Sequence, residues 1–386
     1  MLRNKRYPSK IRLSLPYAFS LGAFFCLLAV SYAQVAPCPF PGPKPADIPQ
    51  TWKPLIGEYG FVQTSQRERH ILREPADIDE PRSIAEIQRL IVLEKSGKLV
   101  LREMNGTETR LESATDGTFA LIKPPDAPSK VLFGSAARGY ADSIAVVTGD
   151  EVRFERRKLG PEEGQVFQIQ LSRSIDDLRR EALAAAPPHE NGQFRSPDLV
   201  DLAALNAAIH LDIRYATTND FLGTPVYTQA RAFLQRPAAE ALVRAQQRLT
   251  AYGYALLIHD AYRPWYVTKI FWDATPPEGK IFVADPAQGS RHNRGCAVDL
   301  TLYDLKTGKP IEMPGTYDEM SERSFPDYPG GTSLQRWHRD LLRWAMESEG
   351  FTVYEHEWWH FDYKDWHEYP ILNVPFEKLQ FGAAIH

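Results

Sequence analysis

The sequence of 386 residues has little cysteine and no long runs of charge. Its three cysteines are Cys26, Cys38 and Cys296, and no two of them are spaced as CxxC. This argues against a zinc site built from thiolates and against a disulfide framework. Cys38 and Cys296 could form one disulfide, but we expect two free thiols. The net charge is only −4 and no long basic run follows the N-terminal segment, so nucleic acid and membrane surfaces are not expected partners.

The composition is that of a protein with packed cores. Hydrophobic residues make up 43% and charged residues 24%. The length exceeds what one ordinary domain needs. We predict five parts: a signal peptide (1–33), a proline-rich lead-in (34–54), a β-rich accessory domain (55–172), a helix with a linker (173–197) and a C-terminal domain (198–386).

The first 33 residues have the pattern of a secretory signal peptide. Basic side chains precede a short apolar run, and Ser31-Tyr32-Ala33 matches a small-x-small cleavage site. An uncleaved membrane anchor is the alternative, but the run is short and contains Pro16. We therefore expect an exported protein, periplasmic or secreted, whose mature chain begins near Gln34 and has no membrane span.

Short β-rich stretches alternate with turn dipeptides before the linker, which favours a small barrel or sandwich. The predicted strands are Leu90–Glu94, Lys98–Met104, Glu108–Glu112, Thr118–Lys123, Ser143–Thr148, Glu151–Arg156 and a last strand, Val166–Leu171. No catalytic constellation is evident among them.

The C-terminal part has an α+β pattern, which predicts helices around a small antiparallel sheet. The predicted helices are Ile175–Ala186, Pro237–Tyr252, Arg263–Trp272 and Ser333–Ser348, and the predicted strands are Tyr254–His259, Ala297–Tyr303, Phe351–Tyr354 and Trp358–Tyr363. The predicted fold class is therefore α+β, with a small all-β barrel or sandwich domain before the C-terminal domain.

Two short stretches carry candidate metal ligands. His292 and Asp299 flank Gly295, so a loop histidine and a strand carboxylate could converge. Glu357 and His360 point to opposite faces of an ideal strand, and only a bend or a strand end lets both reach one ion. His292, Asp299 and His360 form a His-Asp-His set that leaves the fourth position of a zinc ion open for water. Glu357 would lie beside that water as a proton acceptor.

The same residues have a plain structural interpretation. A histidine near Trp358, Trp359 and Phe361 is commonly part of a packed core. The sequence has no HExxH motif to strengthen the case for a metal. Spacing alone therefore leaves a metal site and a core cluster both open.

The C-terminal part contains an ordered series of five motifs: Asp212–Thr217, Asp260–Pro264, Ser290–Leu302, Gly315–Ser324 and Glu357–His360. In these motifs and their order, the sequence resembles the D-alanyl-D-alanine dipeptidase family. The likeness runs from about Asp198 to Leu379, and five motifs in the same order are highly specific together.

The resemblance implies roles for five residues. The family positions of His292, Asp299 and His360 hold one zinc ion per chain. That of Glu357 is the catalytic base and acid, and that of Arg263 stabilises the oxyanion. A fixed guanidinium suits this last role because it donates hydrogen bonds to developing negative charge.

The resemblance also implies a substrate pocket. Ser290 and Asp318 match positions that line it, and Asp318 suits the ammonium end of a dipeptide by charge. Tyr215 lies in another family motif, although an ordinary core tyrosine explains it equally well. Two features depart from the family: Cys296 stands where a small residue, often serine, is expected, and minimal members lack the β-rich part.

The predicted activity is zinc-dependent hydrolysis of D-alanyl-D-alanine to D-alanine, linked to turnover of cell-wall peptides. One alternative is a zinc D,D-carboxypeptidase that cleaves longer peptidoglycan peptides in an open groove. Another is a non-catalytic wall-binding protein, which would have little need to keep both Glu357 and Arg263.

Overall fold

The computed structural model describes residues 38–60, 89–114, 117–122, 129–135, 139–149, 151–160 and 165–379. The predicted signal peptide lies outside these residues. Among the residues described, no helix combines the length and the apolar character needed to cross a bilayer. Cys38 and Cys296 are both free thiols, as expected.

The N-terminal part is a closed barrel of eight strands. Each strand pairs antiparallel with the next, and β1 pairs antiparallel with β8 to close the ring. Alternate side chains, such as Tyr59, Val92 and Leu99, point inward and form a core of their own. The strands are β1 (Gly57–Gly60), β2 (Leu90–Lys95), β3 (Lys98–Glu103), β4 (Glu108–Ser113), β5 (Phe119–Ile122), β6 (Ser129–Phe133), β7 (Ser143–Thr148) and β8 (Glu151–Leu159).

The predicted strand Val166–Leu171 is wrong. These residues form no strand, because pairing of β1 with β8 leaves the barrel without a free edge. Instead, Phe167, Ile169 and Leu171 pack against the core of the C-terminal region (residues 165–379). The N–H of Ile169 donates to the carbonyl of Phe221 at 2.9 Å, which fixes this segment to the C-terminal region.

The C-terminal region folds as five helices around a central sheet. The helices are α1 (Ile175–Ala184), α2 (Leu202–Leu205), α3 (Arg236–Thr250), α4 (Trp265–Ala274) and α5 (Ser333–Glu347). The strands are β9 (Leu199–Asp201), β10 (His210–Leu211), β11 (Phe233–Gln235), β12 (Tyr254–Asp260), β13 (Ala297–Asp304), β14 (Lys309–Pro310), β15 (Phe351–Tyr354) and β16 (Glu357–Tyr363).

The central sheet has the order β10-β12-β13-β16-β15, with β14 also paired to β13, and β9 and β11 form a separate pair. The prediction of a purely antiparallel sheet needs one correction, because β10 pairs parallel with β12. A parallel neighbour requires a long crossover. Here the crossover contains β11 and α3.

Helices α3 and α5 show how local sequence patterns produce the layer of helices that packs on the sheet. Ala238, Leu242, Ala245 and Leu249 recur at helical spacing and are fully buried. Helix α5 begins with a capping box, in which Thr332 and Gln335 satisfy each other's backbone N–H groups. The two helices cover the sheet, and β12, β13 and β16 carry the polar residues described below.

The barrel rests on the segment that leads into α5. Ile91, Leu93 and Val100 point outward from the barrel and form a small apolar cluster with Tyr328. Around it, Arg89 pairs with Glu322 of the C-terminal region. The barrel therefore contacts the loop that follows Asp318.

Candidate active site

Three ligand-type side chains converge at the edge of the sheet. Nε2 of His292 lies 3.3 Å from Oδ1 of Asp299 and 3.0 Å from Nδ1 of His360. Nδ1 of His360 lies 3.0 Å from the same oxygen of Asp299. Tetrahedral zinc with bonds of about 2.0 Å separates its ligands by roughly 3.3 Å, so the triangle has the size of one face of such a site. These three buried residues could hold a metal ion.

The fold explains how the three ligands meet. Asp299 on β13 lies directly opposite His360 on the neighbouring strand β16. His292 precedes β13 in a short 3-10 turn that ends at Gly295, whose φ of 67° lies in the left-handed region that favours glycine. The loop therefore turns back into the strand, as the sequence predicted.

Hydrogen bonds orient both imidazole rings toward the common point. Nδ1 of His292 lies 2.7 Å from the carbonyl of Ala261, and Nε2 of His360 lies 2.9 Å from Oδ1 of Asp362. Each ring thus presents its other nitrogen to the ligand cluster, an arrangement typical of metal-binding histidines. Asp362 was missed in the sequence analysis, although alternation on β16 places it on the same face as His360.

The electrostatics of the cluster favour positive charge at its centre. Burial alone would raise the pKa of Asp299, but His292 and His360 hold that pKa well below its usual range. Burial alone would lower the pKa of His360, but Asp362 and Asp299 raise it to about 10. A point that stabilises a proton so strongly also suits a cation.

A β-bulge brings the carboxylate of Glu357 close to the imidazole of His360. The register of β15 and β16 shifts between Val353, which opposes Phe361, and Tyr354, which opposes Glu357. The shift breaks the alternation that would separate Glu357 from His360, and Oε2 of Glu357 lies 3.7 Å from Nδ1 of His360. Burial is the main cause that raises the pKa of Glu357 to about 8.

Arg263 is buried and held by a carboxylate that the sequence analysis did not single out. Its Nε and Nη2 donate to Oδ2 of Asp260 at 2.9 and 2.8 Å. Nη2 also lies 3.6 Å from Oδ2 of Asp299. Burial opposes the charge of Arg263, but Asp260 keeps the pKa of the guanidinium well above its usual value. The group is therefore a fixed cation beside the ligand cluster.

A chain of hydroxyls joins the ligand cluster to Asp318. The hydroxyl of Tyr317 lies 3.0 Å from Oδ2 of Asp299 and 3.0 Å from the hydroxyl of Tyr215. The hydroxyl of Tyr215 donates to Oδ1 of Asp318 at 3.0 Å. Oδ2 of Asp318 is buried and has no hydrogen-bond partner among the described residues. Burial and the nearby Asp299 raise the pKa of Asp318 well above its usual range.

Asp318 is also conformationally unusual, with a φ of 60°. Left-handed conformations are uncommon outside glycine and are concentrated at functional sites. Ser290 has a more local role, because its hydroxyl accepts from the N–H of His292 at 3.2 Å and thereby shapes the ligand loop.

All eight predicted site residues line one cavity of about 100 Å³. They are Tyr215, Arg263, Ser290, His292, Asp299, Asp318, Glu357 and His360. The sequence analysis missed the apolar part of the wall, which includes Phe221, Phe271, Phe282, Met320 and Trp359. The result is a small polar site with apolar sides, suited to a compact ligand that carries charge.

Comparison with known proteins identifies the family. Residues 195–379 match the sequence model of the D-Ala-D-Ala dipeptidase family Peptidase M15, a family of metallopeptidases. The D-alanyl-D-alanine dipeptidase of Escherichia coli (strain K12) is 36% identical over 179 residues, which is 46% of this chain and 91% of that protein. The D-alanyl-D-alanine dipeptidase of Enterococcus faecalis (strain ATCC 700802 / V583) is 34% identical over 195 residues, 46% of this chain and 93% of that protein.

A third relative gives the same result. The D-alanyl-D-alanine dipeptidase of Streptomyces coelicolor is 34% identical over 186 residues, 44% of this chain and 92% of that protein. These relatives are matched over nearly their whole length by less than half of the chain, which leaves them no room for a barrel of this size. The motifs, the convergent site and the relatives agree, and the chain belongs to the M15 family of D-alanyl-D-alanine dipeptidases.

Proposed function

We propose that this protein is an exported, zinc-dependent dipeptidase that hydrolyses D-alanyl-D-alanine to two molecules of D-alanine. The observation that carries the proposal is the convergence of five groups in one cavity. A His-Asp-His set, a carboxylate and a guanidinium all line it. The names of the relatives support D,D-dipeptides as the substrate class.

The donor set favours zinc. Two imidazole nitrogens and one carboxylate oxygen are the ligands of many catalytic zinc sites, which keep a further position open. His292, Asp299 and His360 would hold the ion, and Asp362 and the carbonyl of Ala261 fix the two rings. When bound, zinc polarises the scissile carbonyl and makes water more acidic.

Glu357 is placed to move the proton. Its carboxylate lies beside the ligand set, 3.7 Å from His360. It takes a proton from the attacking water as the water oxygen bonds to the carbonyl carbon. It then gives the proton to the amine as the C–N bond breaks. Its raised pKa, about 8, fits a group that both accepts and returns a proton near neutral pH.

Arg263 is placed to stabilise the oxyanion. The ion pair with Asp260 holds its guanidinium against the rings of Tyr215 and Phe271, 5.3 and 4.7 Å from their centres. A fixed cation of this kind needs no rearrangement when negative charge develops on the carbonyl oxygen. Its hydrogen bonds are stronger in the transition state than in the bound substrate, which is what accelerates the reaction.

Asp318 is placed to bind the ammonium group of the dipeptide. Its Oδ2 is buried and has no hydrogen-bond partner among the described residues, and Asp318 lines the cavity. An ammonium group supplies both the missing donor and the missing positive charge. Ser290 lines the same cavity and offers a hydroxyl to the substrate.

The signal pattern supports a role outside the cytoplasm. An exported enzyme would meet dipeptides released from the cell wall, so we propose recycling of wall-derived D-Ala-D-Ala. Vancomycin-type resistance would instead require the enzyme to act on the cytoplasmic pool. Active protein in the cytosolic fraction of the native host would contradict the export proposal.

Stereochemical selectivity tests the proposed reaction. Zinc-loaded mature protein is incubated with D-Ala-D-Ala or with L-Ala-L-Ala, and the released amino acid is quantified. The proposal predicts turnover of the D,D-dipeptide and little turnover of the L,L-dipeptide. Equal cleavage of both, or cleavage of the L,L-dipeptide alone, would contradict it.

A further inference from the structure

Asp318 lies in a long connection that has little regular structure of its own. Residues 315–332, called the Asp318 loop below, contain no helix or strand apart from the 3-10 turn Glu322–Ser324. The φ of 60° at Asp318 is a left-handed conformation, which non-glycine residues hold only where their surroundings impose it. The position of this carboxylate therefore depends on what holds the Asp318 loop in place.

Glu319 holds the Asp318 loop together from inside. Its side chain is next to Asp318 in the chain and is 1% exposed. Its carboxylate accepts from the N–H of Thr316 at 3.2 Å and from the hydroxyl of Ser321 at 2.7 Å. Nε of Arg323 lies 3.4 Å from the same carboxylate. The chain on both sides of Asp318 is thus tied to Glu319, so a shift of Glu319 or Arg323 also shifts Asp318.

The barrel meets this arrangement at Gly160, the residue that follows β8. A Cβ atom added to Gly160 would lie 2.7 Å from Nη1 of Arg323 and 3.3 Å from Oε1 of Glu319. The φ of Gly160 is 79°, so both its backbone conformation and its surroundings require glycine. The end of β8 therefore lies directly against the two side chains that fix the backbone around Asp318.

Two further contacts join the barrel to the Asp318 loop. Arg89, which precedes β2, pairs with Glu322 and lies 3.2 Å from the buried carboxylate of Glu58 on β1. Tyr328 is 4% exposed and packs on apolar side chains of the outer faces of β2 and β3. The relatives described above have no room for a barrel, so support of this kind is particular to the present chain.

We propose that the barrel is a positioning element for substrate binding, which holds Asp318 in place through Glu319 and Arg323 and thereby sets the affinity for the ammonium group of the dipeptide. This rests on the proposed dipeptidase function and identifies what controls one part of its site. Among the described residues, none from the barrel lines the active-site cavity, so the barrel acts on the substrate only through the Asp318 loop. A contact that is equally strong in the bound substrate and the transition state changes KM and leaves kcat unchanged.

Gly160→Ala tests the proposal in full-length mature protein loaded with zinc. The added methyl group displaces Arg323 and Glu319, and with them Asp318. We expect the KM for D-Ala-D-Ala to rise by about fivefold to tenfold, because the charge-assisted bond to the ammonium group is weakened. The kcat value and the zinc content should stay the same.

Gly117→Ala is the matched control. Gly117 lies in another turn of the barrel with a φ of 80°, so alanine meets the same backbone strain there. Among the described residues, no atom lies within 4 Å of the added Cβ. This variant should leave KM unchanged, and an equal rise in KM would assign the effect of Gly160→Ala to barrel strain alone.

A second variant covers the case in which Gly160→Ala does not fold. Glu322→Gln removes the ion pair with Arg89 at a side chain that is 47% exposed, and it leaves the pair of Arg89 with Glu58 in place. Because exposed ion pairs contribute little, we expect a rise in KM of only about twofold. The direction should be the same, again with kcat and zinc content unchanged.

A ligand without the amino group separates positioning of Asp318 from a general loosening of the site. N-propionyl-D-alanine is D-Ala-D-Ala with hydrogen in place of the amino group, and its inhibition constant is measured by competition with the dipeptide. Gly160→Ala should leave this constant unchanged, because the ligand has no ammonium group for Asp318 to bind. Equal weakening of both ligands would overturn the proposal.

The remaining outcomes keep this proposal apart from the dipeptidase proposal. An unchanged KM in folded Gly160→Ala and Glu322→Gln proteins would overturn the positioning role and leave the dipeptidase function intact. Failure of the zinc-loaded wild type to cleave D-Ala-D-Ala would contradict the dipeptidase function itself, and this inference with it.

Discussion

The carboxylate of Glu94, in the barrel, accepts a hydrogen bond of 2.6 Å from the backbone N–H of Ser333, the first residue of α5. The main chain of Glu94 contributes two more bonds, one from its N–H to the carbonyl of Gly331 and one from Arg336 to its carbonyl. A barrel residue thus supplies an acceptor that the start of a helix requires. The barrel is thereby fixed to the segment that links Asp318 to α5.

Glu94→Ala is expected to lower the free energy of unfolding by about 1–2 kcal/mol, because it leaves the half-buried N–H of Ser333 and the N–H of Gly97 without this acceptor. Urea unfolding of the mature chain measures the change. Glu112→Ala is the control, since Glu112 forms an exposed ion pair on the barrel surface. Equal destabilisation by the two substitutions would show that the contact with Ser333 does not matter.

Glu357→Gln is expected to lower kcat for D-Ala-D-Ala by about 10²–10⁴-fold, because the amide cannot take a proton from water. Zinc content and folding should be retained. Glu355→Gln is the control, since Glu355 is two residues away and its side chain is 80% exposed. A Glu357→Gln protein with nearly full activity would assign the proton transfer to another group.

His292→Ala is expected to abolish stoichiometric zinc binding, measured by metal analysis after dialysis. In the wild type, zinc at a hundred times its dissociation constant should stabilise the fold by about 2.7 kcal/mol, and the variant should lack this effect. His367→Ala serves as the control, because His367 is exposed and lies outside the cluster. Zinc binding unchanged in His292→Ala would contradict the ligand assignment.

Arg263→Lys keeps a positive charge opposite Asp260 but loses the rigid fork of N–H donors. We expect kcat to fall by about 10²–10³-fold, as when an oxyanion donor is removed, with zinc content unchanged. Kinetics with D-Ala-D-Ala checks this. A rise in KM at constant kcat would instead mean that Arg263 binds the substrate in the ground state.

Asp220 should make stability depend on pH. Burial raises its pKa to about 6, above the 3.8 of an ordinary aspartate. The folded state therefore retains a proton that the unfolded state has released, and stability falls as the pH rises from about 4 through about 6. The shift corresponds to at most about 3 kcal/mol, and nearby solvent reduces it to about 1–2 kcal/mol.

Asp220→Asn removes this ionisation, while its remaining oxygen can still accept from the N–H groups of Leu222 and Thr224. Between a pH of about 4.5 and a pH of about 7.5, the free energy of unfolding of the variant should rise by about 1–2 kcal/mol relative to that of the wild type. Unfolding by urea at both pH values measures it. A constant difference between the two proteins would mean that Asp220 titrates normally.

Local signals in the sequence were enough to predict much of the fold. Turn dipeptides between β-rich stretches predicted a small barrel or sandwich, of which the structure has the barrel, and helical periodicity predicted α3 and α5. The strand predicted at Val166–Leu171 was wrong because closure of the barrel depends on pairing between β1 and β8, which are far apart in the chain. The parallel pairing of β10 with β12 is likewise a long-range property.

The candidate site likewise has residues that the sequence could identify and features that become evident only in the folded chain. Motifs identified His292, Asp299 and His360, which the structure brings together. The bulge that turns Glu357 toward them could not be predicted, since ideal alternation opposes it. Asp260, which holds Arg263, was passed over because its partner three residues away becomes evident only when the loop after β12 is folded.

The most direct test of the central claim is D-alanine release from D-Ala-D-Ala by the purified mature protein, before and after chelation and again after zinc is restored. We predict rapid release, loss of activity on chelation and recovery with zinc, and no recovery in a Glu357→Gln protein carried through the same steps. A folded, zinc-loaded wild-type protein that releases no D-alanine, or one whose activity persists without metal, would contradict the account.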